Sequence, residues 1–301
     1  MRQHGVMKNC LVTGASGFLG GAVVRRLSDS GWHVAGTAHR RGAPEMRVAD
    51  LRNEEAVSRL VEEVRPDAVV HCAAARDPDA CERDPGEARR LNVSPADFLV
   101  RALDPRVPLV FISSDYVFDG ERPPYRETDD RAPVNIYGRT KTEAEDIVLA
   151  RKRSLVLRIP VLVGAGATLS ASGFIGKMYE TIRSRERMEV EDTIIRFPTW
   201  IEDVADVIRF ALDKQIFGIL HYSGARGQTR YGWTTELARI LGASAAHVAP
   251  VKKDSAQVAR RPRDAHLDTT LLRSTGYNRF TDFAEVMRVV LAAFGVNVPG
   301  V

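Results

Sequence analysis

The sequence predicts an α/β fold, a doubly wound parallel sheet followed by a smaller α/β lobe, on three observations. Short, almost uniformly apolar runs alternate with longer stretches of helical periodicity from Lys8 to about Arg158. A glycine-rich turn, Thr13-Gly14-Ala15-Ser16-Gly17-Phe18-Leu19-Gly20, joins the first run to the first periodic stretch. After Pro160 the alternation breaks into glycine-rich and polar segments. The expected division is residues 1–160 for the sheet-bearing domain and 161–301 for the smaller lobe, with some later chain crossing back to the core.

Strands are expected at Asn9–Thr13, His33–Ala38, Ala68–Cys72, Leu109–Ser113 and Leu155–Ile159, because short runs apolar throughout suit burial on both faces. Helices are expected near Phe18–Ser28, Glu54–Val64, Glu87–Ala102 and Tyr137–Ala150. In the second half the same signals give helices at Phe174–Ser184, Glu202–Asp213 and Thr234–Leu241, and a strand at Ile219–Tyr222. A last helix, Phe283–Phe294, has apolar residues at helical spacing and is expected to pack back onto the body.

With 301 residues, 44% of them hydrophobic, the chain can build a large core. Its net charge of +4 comes from interspersed residues of both signs, without a basic block interleaved with aromatics. That pattern disfavours a nucleic-acid partner and suits small anionic ligands. Cys10, Cys72 and Cys81 form no metal-binding spacing, so no metal is expected, and they read as buried thiols of a reducing, cytoplasmic compartment. Arg2 and Lys8 before the apolar stretch 10–24 imitate a secretory signal, but the glycines and Ser16 fit a strand, turn and helix better. No run reaches the roughly 18 apolar residues of a membrane span.

A glycine turn between strand and helix is the setting of a Rossmann-type phosphate cradle. Gly14 would allow the tight turn, Gly17 a close approach to a pyrophosphate and Gly20 close helix–strand packing, with Ser16, Phe18 and Leu19 completing the cradle. The second strand ends Ala38-His39-Arg40-Arg41, with no carboxylate before Glu45. An acid there would hold a ribose 2′-hydroxyl; His39, Arg40 and Arg41 suit a 2′-phosphate instead, so NADP(H) is the expected cofactor. The alternative is that both arginines are solvated loop residues. Cys72, Ala73 and Ala74 close the third long strand with small side chains that leave the cofactor room, and His71 reads as structural.

Tyr137 and Lys141 stand one helical turn apart, and the fourth strand delivers Ser114 to the carboxyl edge of the sheet. A phenol of ordinary acidity is a poor acid at neutral pH, and a nearby ammonium is expected to bring it towards the working range. Tyr137 would then protonate a carbonyl oxygen that Ser114 orients, with Lys141 also holding the cofactor ribose.

On these residues the chain resembles an extended short-chain dehydrogenase/reductase. Ser113-Ser114-Asp115-Tyr116-Val117-Phe118-Asp119-Gly120, Pro124-Tyr125-Arg126-Glu127 and Tyr137-Gly138-Arg139-Thr140-Lys141 resemble the dTDP-4-dehydrorhamnose reductase group. Within it, Arg158-Ile159-Pro160, Arg196-Phe197-Pro198-Thr199 and 261–268 are most similar to the regulatory beta subunit of methionine adenosyltransferase. The resemblance implies an NADPH-dependent reductase of a nucleotide-linked 4-keto-6-deoxy sugar, or an NADP-binding subunit that partners the methionine adenosyltransferase catalytic chain. It also implies an adenine contact from Asp50 and Leu51, and substrate contacts from Ser114, Asp115 and Tyr116.

The tail 294–301 does not resemble the extended tail of the regulatory subunit, which weakens that alternative. Tyr116 after Ser114-Asp115 leaves no adjacent acid for dehydration. Ala22 is taken to stand where metal-linked reductase dimers carry a glutamate, so any homodimer is expected to lack a metal bridge. Arg196, Arg261 and Arg263 are the candidates for a substrate diphosphate, while Arg261 and Arg263 are equally well solvated or paired with Asp264 or Asp268. Trp200 reads as a packing residue at the lobe junction.

Overall fold

The computed structural model describes residues 8–39, 46–184, 186–252 and 258–298. Its first half runs β1 (Asn9–Thr13), α1 (Phe18–Asp29), β2 (His33–Ala38), β3 (Arg47–Val48), α2 (Glu54–Val64), β4 (Ala68–His71), α3 (Pro78–Arg83), α4 (Pro85–Asn92), α5 (Ser94–Ala102), β5 (Leu109–Ser114), α6 (Ile136–Leu149) and β6 (Ser154–Ile159). The second half adds β7 (Leu162–Val163), α7 (Phe174–Arg183), β8 (Met188–Glu191), β9 (Thr199–Trp200), α8 (Ile201–Lys214), β10 (Gly218–His221), α9 (Arg230–Ile240), β11 (Val248–Val251), α10 (Thr270–Ser274) and α11 (Phe283–Ala293).

Seven strands form one sheet in the order β10-β6-β5-β4-β1-β2-β3, and every pair is parallel. Alternate side chains feed its two faces. Val12, Val70 and Leu157 pack beneath α1 and α8, whereas Leu11, Val69 and Phe111 pack beneath α2, α5 and α6. A separate core around Trp233 and Met287 is gathered from α7, α9 and α11. Trp200 is partly buried against both the α1–α8 layer and this second core.

One expected element needs correction. The helix expected over Glu87–Ala102 is divided at Val93, since Pro95 can occupy the first turn of α5 but would clash inside a continuous helix. Ala22 is fully buried in the layer where α1 meets α8. No described helix is long and apolar enough to cross a membrane.

Candidate active site

The chain leaves β1 and β4 towards opposite edges of the sheet, which opens a crevice at their carboxyl ends. Gly14 turns there with φ +67°, and a Cβ on it would lie 2.8 Å from the backbone of Ala73. A Cβ on Gly20 would collide with the Gly14 carbonyl. Gly17 caps α1 without a side chain, and the first turn holds no acid, so its amide end is free for an anion. Ser16 is exposed at this turn and Phe18 half-buried, while Leu19 is buried in the core and can offer only its amide.

His39, the residue after β2, stands 4.0 Å from Asp50, whereas Arg40 and Arg41 lie outside the described residues. Asp50 is held by the Arg52 guanidinium at 2.8 and 2.9 Å, and these hydrogen bonds lower its carboxyl to about 2. Arg52 also reaches Glu87 at 2.9 Å. Leu51 is buried beside it. The Cys72 amide bonds the Thr13 carbonyl at 3.2 Å and burial pushes its thiol up to about 12, which keeps the sulfur inert. Ala73 is half-buried and Ala74 exposed.

Across the crevice, β5 runs into a short 3-10 turn, Asp115–Val117, with Ser114 at its cap. Ser114 Oγ donates to Asp115 Oδ1 at 2.9 Å and accepts the Tyr116 amide at 3.2 Å. Tyr137 sits in the first turn of α6, whose start Asn135 fixes by accepting from the Gly138 amide at 2.8 Å. Asn135 also donates to the Arg260 carbonyl at 2.7 Å, and Glu82 accepts the Ile136 amide at 3.0 Å. The rings of Tyr116 and Tyr137 meet edge to face, 5.7 Å apart.

Gly138 lets the helix lie against this turn, since a Cβ there would run into the Tyr116 carbonyl. Gly138→Ala is therefore expected to push α6 off Ser114 and Tyr137 out of line, at a cost of roughly 10²-fold in turnover. Steady-state kinetics beside a thermal melt would check it, and full activity in a normally folded variant would refute it.

Lys141 is buried with its ammonium 4.1 Å over the Phe111 ring, and it makes no ion pair among the described residues. Burial lowers its pKa to about 8, partly offset by the Glu145 carboxylate. The expectation that Lys141 draws the Tyr137 phenol towards neutrality is not met. Burial pushes that phenol up, outweighing the Ser114 hydrogen bond, so Tyr137 holds its proton.

Arg196 comes in from the second lobe to hydrogen-bond the Tyr116 phenol and face Asp115. Its backbone is fixed by Gln228 and by the Trp233 indole, which donates to its carbonyl at 3.1 Å. Arg261 also bears on Tyr116, but its guanidinium is engaged by Asp79 at 2.8 and 3.0 Å, not by Asp264 or Asp268. Arg263 is exposed, and its carbonyl accepts the Ile195 amide at 2.8 Å.

A family model described as RmlD substrate binding domain matches residues 7–295. The chain belongs to this RmlD family. Among its relatives, the methionine adenosyltransferase 2 subunit beta of Pongo abelii is 37% identical over 284 residues, covering 92% of this chain and 85% of that protein. A dTDP-4-dehydrorhamnose reductase of Bacillus anthracis, solved with NADP, is 25% identical with a TM-score of 0.86, covering 96% of this chain and all of the other. The corresponding reductase of Clostridium acetobutylicum is 26% identical with a TM-score of 0.86, covering 95% and 99%.

Sequence reasoning passed over several residues that support this RmlD-type site. Asn92 is buried, and its carboxamide joins the Ala75 backbone to Thr140 Oγ1 on α6 at 2.7–3.1 Å. Glu145, one turn beyond Lys141, is fully buried and paired with Arg158 at 2.8 Å. The i, i+4 spacing of Lys141 and Glu145 was the available signal.

Proposed function

We propose that this chain is an NADPH-dependent reductase of a nucleotide-linked 4-keto-6-deoxy sugar. The observation that carries the reading is the convergence of Ser114, protonated Tyr137 and cationic Lys141 on the crevice beside the glycine turn. The cradle fits a dinucleotide, because the α1 amide end has neither a side-chain cap nor an acid in its first turn. When bound, NADPH supplies a hydride to the carbonyl carbon. Ser114 orients the carbonyl oxygen, Tyr137 Oη gives it a proton as its charge develops, and Lys141 holds the ribose hydroxyls while its charge favours the phenolate left behind. Arg196 and Arg263 would meet the substrate diphosphate, with Asp115 and Tyr116 facing the sugar.

The expected result is NADPH oxidation that depends on dTDP-4-dehydro-6-deoxy-L-mannose, measured after NADPH binding has been confirmed by titration. Tight NADPH binding without turnover would refute it.

A second reading is favoured by the 37% identity with the methionine adenosyltransferase 2 subunit beta: the chain would bind NADP and act on that enzyme through a protein interface. Copurification with a methionine adenosyltransferase catalytic chain would support it, and no binding at micromolar concentration would count against it.

A further inference from the structure

Ser114 has one proton, and Asp115, the Tyr137 phenol oxygen and the substrate ketone compete for it. Its Oγ stands 2.9 Å from Asp115 Oδ1 and already accepts the Tyr116 amide. An ionised carboxylate has no proton to give, so the 2.9 Å contact then takes the Ser114 O–H and leaves none for a ketone oxygen. A protonated Asp115 reverses the bond. Its acid O–H donates to Ser114 Oγ, whose two acceptor positions are filled by Asp115 and the Tyr116 amide, and the Ser114 proton turns outward, to the Tyr137 oxygen until a ketone takes its place. Both partners are fixed: Ser114 ends a buried strand, and Asp115 opens the 3-10 turn that the α6 helix covers at Gly138.

We propose that Asp115 is a positioning residue that steers the Ser114 proton, releasing it to the substrate ketone only while Asp115 itself is protonated. This rests on the reductase reading above. No proton leaves Ser114 in the step; Tyr137 remains the donor, and Asp115 sets only the direction of the Ser114 hydrogen bond.

The surroundings favour the protonated acid near neutrality. Burial raises the Asp115 carboxyl to about 7, against the opposing pull of the Ser114 hydroxyl and the Arg196 charge. Tyr137 faces it from α6 and Tyr116 from its own turn, both phenols holding their protons, while Arg261 bears on Tyr116 and Cys81 of α3 on Tyr137. The acid is therefore neutral below about pH 7, and the Ser114 proton is recaptured above it.

The test is the pH profile of kcat/KM for NADPH-dependent ketosugar reduction. Wild type is expected to lose about tenfold on passing upward through pH 7, the worth of one orienting hydrogen bond. Asp115→Asn carries an amide that donates to Ser114 at every pH, so the limb near 7 should vanish and only the one near 8, where Lys141 loses its proton, should remain. A wild-type profile flat between pH 6 and 7.5, or an unchanged limb in Asp115→Asn, would overturn the proposal. If the protein binds NADPH but reduces no ketosugar at any pH, it is the reductase reading that fails. Carboxyl carbon NMR then decides on the shared proton: Ser114→Ala should raise the Asp115 titration point, and an unmoved one overturns the coupling.

Discussion

Tyr137→Phe is expected to lower reduction by roughly 10²–10⁴-fold, the usual contribution of a positioned general acid. The substitution removes one oxygen and leaves the ring, which rests edge to face on Tyr116 in the first turn of α6. NADPH affinity and melting temperature should therefore stay close to wild type, and kcat should carry the loss. Burial holds the phenol in its neutral, protonated form, so the acid carries its proton before the ketone arrives and turnover in the reducing direction needs no prior titration of Tyr137. Activity within a few-fold of wild type would show that the proton comes from elsewhere. A cofactor-binding subunit without chemistry would also respond differently, keeping its partner affinity in Tyr137→Phe.

Glu145→Ala is expected to destabilise the fold by about 3–5 kcal/mol, the cost of breaking a buried charge pair from one side. Glu145 is fully buried and accepts Arg158 Nε at 3.0 Å and Nη2 at 2.8 Å, Arg131 Nη1 at 3.2 Å and the Ser113 hydroxyl. Arg158 is also enclosed, with Nη1 3.2 Å from His221 Nε2 and its guanidinium carbon 5.1 Å from the Phe118 ring centre. Removing the acid strands that guanidinium in the core, whereas replacing both partners by apolar residues of similar volume leaves no orphaned charge. Urea unfolding should show Glu145→Ala well below wild type and a Glu145→Leu/Arg158→Met double variant closer to it. Equal losses in the two would mean that packing, not the charge, sets the cost. Because the Glu145 carboxylate also raises the Lys141 pKa, the conservative Glu145→Gln should move loss of the Lys141 proton below about 8.

The doubly wound half was readable because its signals are local. β1, β2 and α2 fall on the expected residues, since each is a short apolar run or an amphipathic turn sequence closed by its own cap or glycine. The glycine turn and the approach of Ser114 to Tyr137 followed for the same reason. Less legible were features set by distant chain. The pairing β8–β11 joins Met188–Glu191 to Val248–Val251; the first alternates over only four residues and the second carries Pro250, so neither stands out. Arg261 finds Asp79 across 182 residues of sequence, although nearer acids were the natural candidates. The upward shift of the Tyr137 phenol was missed because spacing on a helix reveals a neighbour's charge but not how much water the fold excludes.

The late return of the chain to the sheet bears on how the protein is made. β10 pairs with β6, and α8 lies over α1, yet both follow the whole dinucleotide-type half in sequence. On the ribosome, β6 emerges well before the strand that covers its edge, and α1 before the helix that covers its apolar face. At roughly 5–20 residues per second the first interval is on the order of seconds and the second on the order of ten seconds or more. The nascent first half thus spends this time with an open strand edge and an uncovered greasy layer, the features that chaperones bind. The first half gains its last strand edge and its covering helix only when residues 201–221 arrive.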